Sequence, residues 1–262
     1  MERNNINISA VIITFNEENN IGRCLTSLQK IADEIVVVDS FSTDNTEEIC
    51  RQFGAKFIQH TFQGHIEQKN YALSQTTFDH VLSLDADEVL SEKLAESIME
   101  IKSSWDADAY SFNRLTNYCG KWIRYSGWYP DRKIRLLDRR KGRWGGINPH
   151  DRIVMIKGSM VKFLKGDLLH YSVNSVEQHL QTINSFSSIA AKAKFERGEK
   201  AGLLKIIFNP LWKFIRNYFL KRGFLDGYYG FVIVTLSAYG TFLRYIKLRE
   251  HWLQRKKQKE QL

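Results

Sequence analysis

Cysteine is scarce in this 262-residue chain: Cys24, Cys50 and Cys119 are odd in number and lack metal-ligand spacing. A disulfide framework is therefore not expected, and a reducing compartment is. The start, Met1-Glu2-Arg3-Asn4-Asn5, has no charged-then-apolar leader, so no secretory signal is expected. No repeat of about 20–50 residues is present, and no low-complexity tract beyond the basic C-terminal end. Glycine-rich phosphate loops of the G-x-G-x-x-G or G-x-x-x-x-G-K type are missing too, which excludes the commoner nucleotide folds. Long hydrophobic runs are also lacking. The longest uncharged C-terminal stretch, Gly227–Leu243, has 17 residues broken by Tyr, Gly, Ser and Thr. A membrane span needs about 20 predominantly apolar ones.

What is present begins with ample core material, since 43% of the residues are hydrophobic. The net charge of +9 is entirely C-terminal: from Ala201 onward 12 Lys+Arg face 3 Asp+Glu, whereas residues 1–200 hold 26 of each sign. The first hundred residues alternate between short Val/Ile/Leu-rich strands (Ile8–Thr14, Ile35–Asp39, Lys56–Gln59, His80–Asp85) and helical segments (Glu18–Lys30, Asp44–Phe53, Ile66–Gln75). Gly54 suits a helix stop, and Asp44 with Glu47 resembles a capping pair. This alternation predicts an α/β fold with a mostly parallel sheet covered by helices, and in such sheets ligands bind beyond the carboxyl ends of the strands.

Those ends are polar. They read Thr14-Phe15-Asn16, Asp39-Ser40 and Asp85-Ala86-Asp87. The last belongs to Val-Leu-Ser-Leu-Asp-Ala-Asp-Glu, residues 81–88, an apolar strand closing on three carboxylates. Clustered carboxylates resist dehydration and repel each other, but a divalent cation relieves both penalties. Hard cations such as Mg²⁺ or Mn²⁺ take oxygen ligands and share them with substrate phosphates. An apolar strand followed by Asp-x-Asp also occurs in aspartyl-phosphate phosphatases, in which Asp85 would be the nucleophile. There the motif lies on the first strand and is followed by Thr or Val; here two βα units precede it and Glu88-Val89 follow.

From Asp106 to about Tyr171 the pattern changes to short strands and loops rich in Trp, Arg and Gly, with Gly142–Gly146 read as a loop. Trp122, Trp128, Tyr129 and Trp144 are candidates for stacking on sugar faces or for packing. Arg132 and Arg135 are candidates for an acidic acceptor, or for ion pairs with Asp131 or Asp138. Val176–Glu196 predicts an amphipathic helix, and Asn209-Pro210 a helix start. In the tail, Lys213, Arg216 and Lys221 fall on one half of a helical wheel, and Leu211, Phe214, Ile215, Tyr218 and Phe219 mostly on the other. Basic amphipathic helices of this kind lie on anionic membrane surfaces. The alternative is a helical pair that packs on the core or in a dimer. Nucleic acid is disfavoured, because the aromatics do not interleave with the basic face.

Ser9–Glu18, Val37–Thr46 and Leu84–Glu88 resemble the three signature segments of family 2 inverting glycosyltransferases with the GT-A fold. Trp128–Leu136, Pro149-His150-Asp151 and Gly223–Phe231 resemble the bacterial lipopolysaccharide-core glucosyltransferase branch. The resemblance implies a glycosyltransferase domain over 1–200, with a nucleotide-sugar half (1–105) and an acceptor half (106–200), and a basic helical extension over 201–262. It implies transfer of a sugar, expected to be glucose, from a UDP-sugar to a lipid-linked saccharide. Thr14, Asn16, Glu18 and Asp39 would hold uracil and ribose, and Lys69 and Asn70 would lie near the nucleotide. Asp85 would contact ribose or metal. Asp87 would ligate Mg²⁺ or Mn²⁺, with His170 as a further ligand. Asp151 would be the general base, with His150 its competitor, and the family residue here is often Glu. The place of action would be the cytoplasmic membrane face, on its anionic surface. A non-catalytic membrane-associated sugar-nucleotide binder is the remaining alternative.

Overall fold

The computed structural model describes residues 5–147 and 150–260. The chain divides into two compact units, Met1–Leu115 with Asp131–Tyr171, and Thr116–Pro130 with Ser172–Leu262.

The first unit is a mixed α/β layer structure. Its opening elements are β1 (Ile8–Thr14), α1 (Ile21–Leu28), β2 (Glu34–Asp39), α2 (Thr46–Gln52), β3 (Lys56–Gln59), α3 (His65–Ser74), β4 (His80–Asp85), β5 (Glu88–Leu90) and α4 (Glu92–Lys102). Three of the four expected strands have the expected bounds. The helices begin two or three residues later than their segments, except α3, which begins one residue earlier. Asp44 does not cap α2 in the expected way: one carboxylate oxygen accepts from Thr46 N, and the other from Glu18 N, which ties the β2–α2 loop to the β1–α1 loop. Then come β6 (Ala109–Tyr118), whose end passes with β7 (Lys121–Trp122) into the second unit, and β8 (Asp131–Asp138), β9 (Gly142–Ile147), β10 (His150–Met155) and β11 (Val161–Val173).

The sheet runs β3-β2-β1-β4-β8-β6-β11-β5. Its first half is parallel, with β1 between β2 and β4. The second half brings antiparallel pairings of β8 with β4 and β6, and of β5 with β11. Both faces of β1, β2 and β4 are largely buried, whereas the edge strand β3 is partly exposed. Ile8, Ala10 and Ile12 pack with Leu25, Leu28 and Leu82 on one side, and Val11, Val36 and Val38 pack with Ala72 and Leu73 on the other. Each fully buried Ile or Leu contributes roughly 1.5–3 kcal/mol, and a strand buried on both faces reads as the continuous apolar run seen in Val36-Val37-Val38. Cys24 and Cys50 lie in this core as free thiols. Burial, helped by nearby carboxylates, pushes the Cys50 thiol up to about 12.

Gly142–Gly146 is not a loop. It forms β9, paired antiparallel with β10. Its glycines reflect close packing: a Cβ at Gly142 would collide with the Met155 sulfur across the pair. Asn148 and Pro149, between the two strands, lie outside the described residues.

The second unit holds the end of β6 paired with β7, then α5 (Val176–Glu196), α6 (Leu203–Ile215), a π-helical turn (Arg216–Leu220), a 3₁₀ turn (Gly223–Asp226) and α7 (Gly227–Glu260). Helix α5 has the bounds the sequence predicts, and its Ser175 cap accepts from Gln178 N at 3.1 Å. Pro210 does not start a helix but sits inside α6. The apolar periodicity of Leu203–Phe208 starts the helix behind an extended Gly202, and packing of α6 on α7 offsets the roughly 3 kcal/mol an interior proline costs. The elbow between α6 and α7 is pinned by Asp226, which accepts from Arg124 N, Tyr125 N and the Ser126 hydroxyl. In the tail, the Phe214 and Tyr218 rings meet Phe231 edge-on.

Candidate active site

The first unit gathers polar groups at the carboxyl ends of β1, β2 and β4. Thr14 and Asp39 are register partners at the ends of β1 and β2. The Thr14 hydroxyl donates to Asp39 Oδ1 at 2.8 Å, and Ser42 N donates to Oδ2 at 2.7 Å, which fixes a fully buried carboxylate. Asn16 takes a left-handed conformation (φ 54°) that lets its Oδ1 accept from Thr43 N at 2.8 Å; Asn tolerates this region better than most residues. Glu18 Oε2 accepts from the backbone and side chain of Asn45. Thr14, Asn16, Glu18 and Asp39 are thus brought together by the stitching of two loops.

A second group centres on Lys69. Lys69 is not a solvated helix-face charge: its side chain is 6% exposed and its ammonium bridges Asp85 (2.8 Å) and Asp151 (2.7 Å). The Trp144 ring covers it, with Nζ 4.2 Å from the centroid. Trp144 is itself buried and donates from Nε1 to Ser83. It therefore packs on cations rather than offering a face to sugar. Asn70 spends its carboxamide on β9, accepting from Trp144 N and donating to Trp144 O.

Two residues of this group, Arg135 and Glu88, have partners that sequence reasoning did not give. Arg135 does not pair with Asp131 or Asp138, and Asp138 pairs with Arg140 instead. Arg135 is buried, and its Nη2 reaches Asp85 Oδ2 at 3.0 Å and Glu88 Oε1 at 2.8 Å. Glu88 is fully buried, accepts from Asp85 N at 3.0 Å, and lies 3.5 Å from Arg114. Burial alone would raise the Asp85 pKa, but the Lys69 and Arg135 charges outweigh it and hold the carboxyl well below the usual range. Both Asp85 oxygens are engaged by cations, unlike an aspartyl nucleophile awaiting a phosphoryl group. Glu17 behaves in the opposite way. Burial, then the nearby Asp87, Asp44 and Asp85 charges, raise its pKa.

The structure brings Asp87 and His170 together. His170 is the register partner of Glu88 across the β5–β11 pair, and its Nε2 lies 3.2 Å from Asp87 Oδ2. Two cis ligands of an octahedral ion at about 2.1 Å stand about 3.0 Å apart, so this nitrogen–oxygen pair fits a divalent ion. Among the described residues no group of three or more His, Cys, Asp or Glu surrounds it. The remaining ligands would be water and phosphate oxygens, the usual arrangement for Mg²⁺. Asp85, held by two cations, fits a ligand role less well than Asp87. The His150 side chain lies outside the described residues; Asp151, its neighbour, is in place beside Lys69.

A sequence profile described as glycosyl transferase family 2 matches residues 9–165. The chain belongs to that family. The glycosyltransferase is 36% identical over 253 residues to an uncharacterised glycosyltransferase of Rickettsia typhi, covering 93% of this chain and 87% of the relative. It is 29% identical over 247 residues to the lipopolysaccharide core biosynthesis glycosyltransferase LpsC of Rhizobium meliloti, covering 92% and 91%. Among solved structures it resembles a mannosyltransferase of Pyrobaculum calidifontis, in complex with GDP-Man and Mn²⁺, with a TM-score of 0.56 at 15% identity, covering 93% of this chain and 87% of that one. The fold is therefore that of the GT-A glycosyltransferases, with a long apolar C-terminal helix added. Membership of this family removes the phosphatase reading of Asp85.

Proposed function

We propose that this glycosyltransferase transfers a hexose, glucose by preference, from a UDP-sugar to a hydroxyl of a lipid-linked saccharide such as lipopolysaccharide core, with inversion at the anomeric carbon. The observation that carries this reading is the Lys69 bridge: one buried ammonium between Asp85 and Asp151 at the sheet end that bears Asp87 and His170. The LpsC likeness supports the acceptor class.

In this reading Thr14, Asn16, Glu18 and Asp39 line the uridine site. Asp85, oriented by Lys69 and Arg135, faces the ribose. Asp87 and His170 would hold Mg²⁺ or Mn²⁺, which would supply positive charge against the departing diphosphate. Lys69 adds a fixed positive charge beside it in a water-poor site, where such charges act most strongly. The acceptor oxygen bonds to the anomeric carbon as the bond to the diphosphate oxygen breaks, and Asp151 takes the hydroxyl proton. The salt bridge to Lys69 holds the Asp151 carboxylate in one orientation. Asn70 positions β9, and with it Trp144, over the Lys69 ammonium. The 201–262 extension places the enzyme at the cytoplasmic face of an anionic membrane, where a lipid-linked acceptor is presented.

Asp151→Asn tests the chemistry. UDP binding by calorimetry should stay within a few-fold of wild type while transfer from UDP-glucose falls about 10²–10⁴-fold, the usual loss for a general base. Unchanged transfer by this variant, with loss in His150→Ala, would move the base to His150. UDP binding without turnover on any lipid-linked saccharide would leave a sugar-nucleotide binder.

A further inference from the structure

The helical unit contains one helix long and apolar enough to cross a membrane, Gly223–Gln258, by length and composition. Its surroundings argue against that use. Helix α7 packs along α5, and this contact is polar as well as apolar. The Lys247 ammonium lies within hydrogen-bond reach of Asn184 O, Asn184 Oδ1, Ser187 Oγ and Ser188 Oγ on α5, and Trp252 Nε1 donates at 2.8 Å to Glu199 O just past the end of α5. Helix α5 carries exposed Glu177, Lys192 and Glu196. Spanning by α7 would drag those charges into hydrocarbon or strip α5 away, and each charge at a bilayer centre costs about 2.5–3.5 kcal/mol even on the mildest scale.

Helix α7 exposes scattered apolar side chains, Tyr228, Phe231, Tyr239 and Leu253 among them, but the densest run of exposed apolar side chains in this unit lies on α6. Leu204, Ile207, Phe208, Leu211 and Trp212 on α6 are each more than half exposed, at 71, 58, 57, 51 and 57%. Their spacing of one, three and four makes a single stripe along the helix. It runs on through Phe219 and Leu220 in the π-helical turn, which are 55 and 65% exposed. Residues 200–225 carry six Lys or Arg and no Asp or Glu. An apolar stripe on a basic, acid-free segment matches the chemistry of an anionic bilayer interface, with apolar side chains among the acyl chains and cations at headgroup level.

We propose that α6 and the following turn lie in the plane of an anionic bilayer, immersed along the Leu204–Leu220 stripe, and that α7 does not span but braces α6 from the aqueous side. This rests on the membrane association proposed above and specifies its mode. The full-length protein would be added to preformed phosphatidylcholine vesicles containing phosphatidylglycerol, floated on a density gradient and extracted with alkaline carbonate. Wild type should float and be released by carbonate. Leu204→Glu/Phe208→Glu/Leu211→Glu should float at least about a hundredfold less, as expected on losing three inserted side chains. Its circular dichroism and melting temperature should match wild type, because the three positions face outward. A second variant with Gln at the same positions repeats the measurement without added charge. Failure of wild type to float removes the membrane reading itself. Wild type that floats, with both variants floating equally, overturns the α6 assignment alone; resistance to carbonate would then make α7 the anchor. A wild-type dimer in lipid-free buffer, by light scattering, that the variants abolish would make the stripe an interface between copies and likewise overturn it.

Discussion

Replacing Arg135 by Met tests whether the buried charge network under Asp85 is as tightly balanced as its geometry implies. Glu88 is fully buried and takes its shortest cation contact, 2.8 Å, from Arg135; the other, to Arg114, is 3.5 Å. Asp85 would keep Lys69 at 2.8 Å and lose the 3.0 Å contact with Arg135. Methionine matches the aliphatic stem, so the loss is electrostatic more than steric. Removing one partner of a buried pair costs about 3–5 kcal/mol, because the other charge stays behind. The residual Arg114 contact argues for the lower end, about 3 kcal/mol. For a chain of this size that is a fall of about 6–12 °C in melting temperature. Urea unfolding followed by tryptophan fluorescence reads the same quantity through its midpoint at constant slope. Adding Glu88→Gln to Arg135→Met removes the stranded charge and should restore part of the loss, so the double variant is more stable than Arg135→Met alone. A change below about 1 kcal/mol in Arg135→Met, the value of an exposed pair, would refute the reasoning, as would a double variant less stable than the single one.

Two further outcomes follow from the same site. Because the folded-state pKa of Asp85 is depressed, its ionisation contributes stability that is complete above the unfolded value of about 3.9 and is lost as pH falls towards the folded value. Asp85→Asn should therefore be less stable at neutral pH, since Lys69 and Arg135 lose a counter-charge. Between about pH 5 and pH 3 its stability should fall less steeply than that of wild type; parallel acid limbs in urea titrations would count against the assignment. Asp87→Asn should remove the Mn²⁺-dependent part of UDP binding by more than the roughly 10–100-fold that outer-shell changes cost, with the melting temperature held. Calorimetry with and without Mn²⁺ reads this, and equal metal dependence in the variant would exclude Asp87 as a ligand.

The parallel half of the sheet was legible because each of its strands is locally determined. Ile8–Thr14 and His80–Asp85 are buried on both faces along most of their length, so they read as apolar runs, and the polar residue that closes each run marks the candidate binding edge. The same logic located Thr14, Asp39 and Asp85. It failed where a residue's partner is set by tertiary register. Lys69 and Asp151 are 82 residues apart, and only the fold of β10 against β9 brings Asp151 to α3. Read locally, Arg135 has acids three residues away at Asp138 and four away at Asp131. On strand β8 its side chain instead points into the sheet towards Asp85 and Glu88, while Asp138 bonds Arg140 at the strand end. Glycine misled in β9 for a related reason. A run of glycines reads as a loop when flexibility is all it signals, but opposite Met155 and Val154 its lack of side chains is what allows the strand pair to close.

The buried cluster also gives the carboxylate-ended strand a different meaning from the one its sequence carries. Three acids in four residues suggest three candidate metal ligands, yet they divide by environment. Glu88 is sealed behind Arg135 and Arg114, Asp85 is held between Lys69 and Arg135, and Asp87 alone meets the imidazole of His170. Neutralising two of the three with fixed cations removes the repulsion that would otherwise have to be relieved by an ion, so the apo protein tolerates the motif. It also lowers the local negative charge, so in the proposed reading a cation would bind weakly through Asp87 and His170 and would depend on a diphosphate for its other ligands. Metal binding and nucleotide binding should then be mutually dependent. Mn²⁺ affinity without UDP should be weak, and UDP should raise it by the same factor by which Mn²⁺ raises UDP affinity.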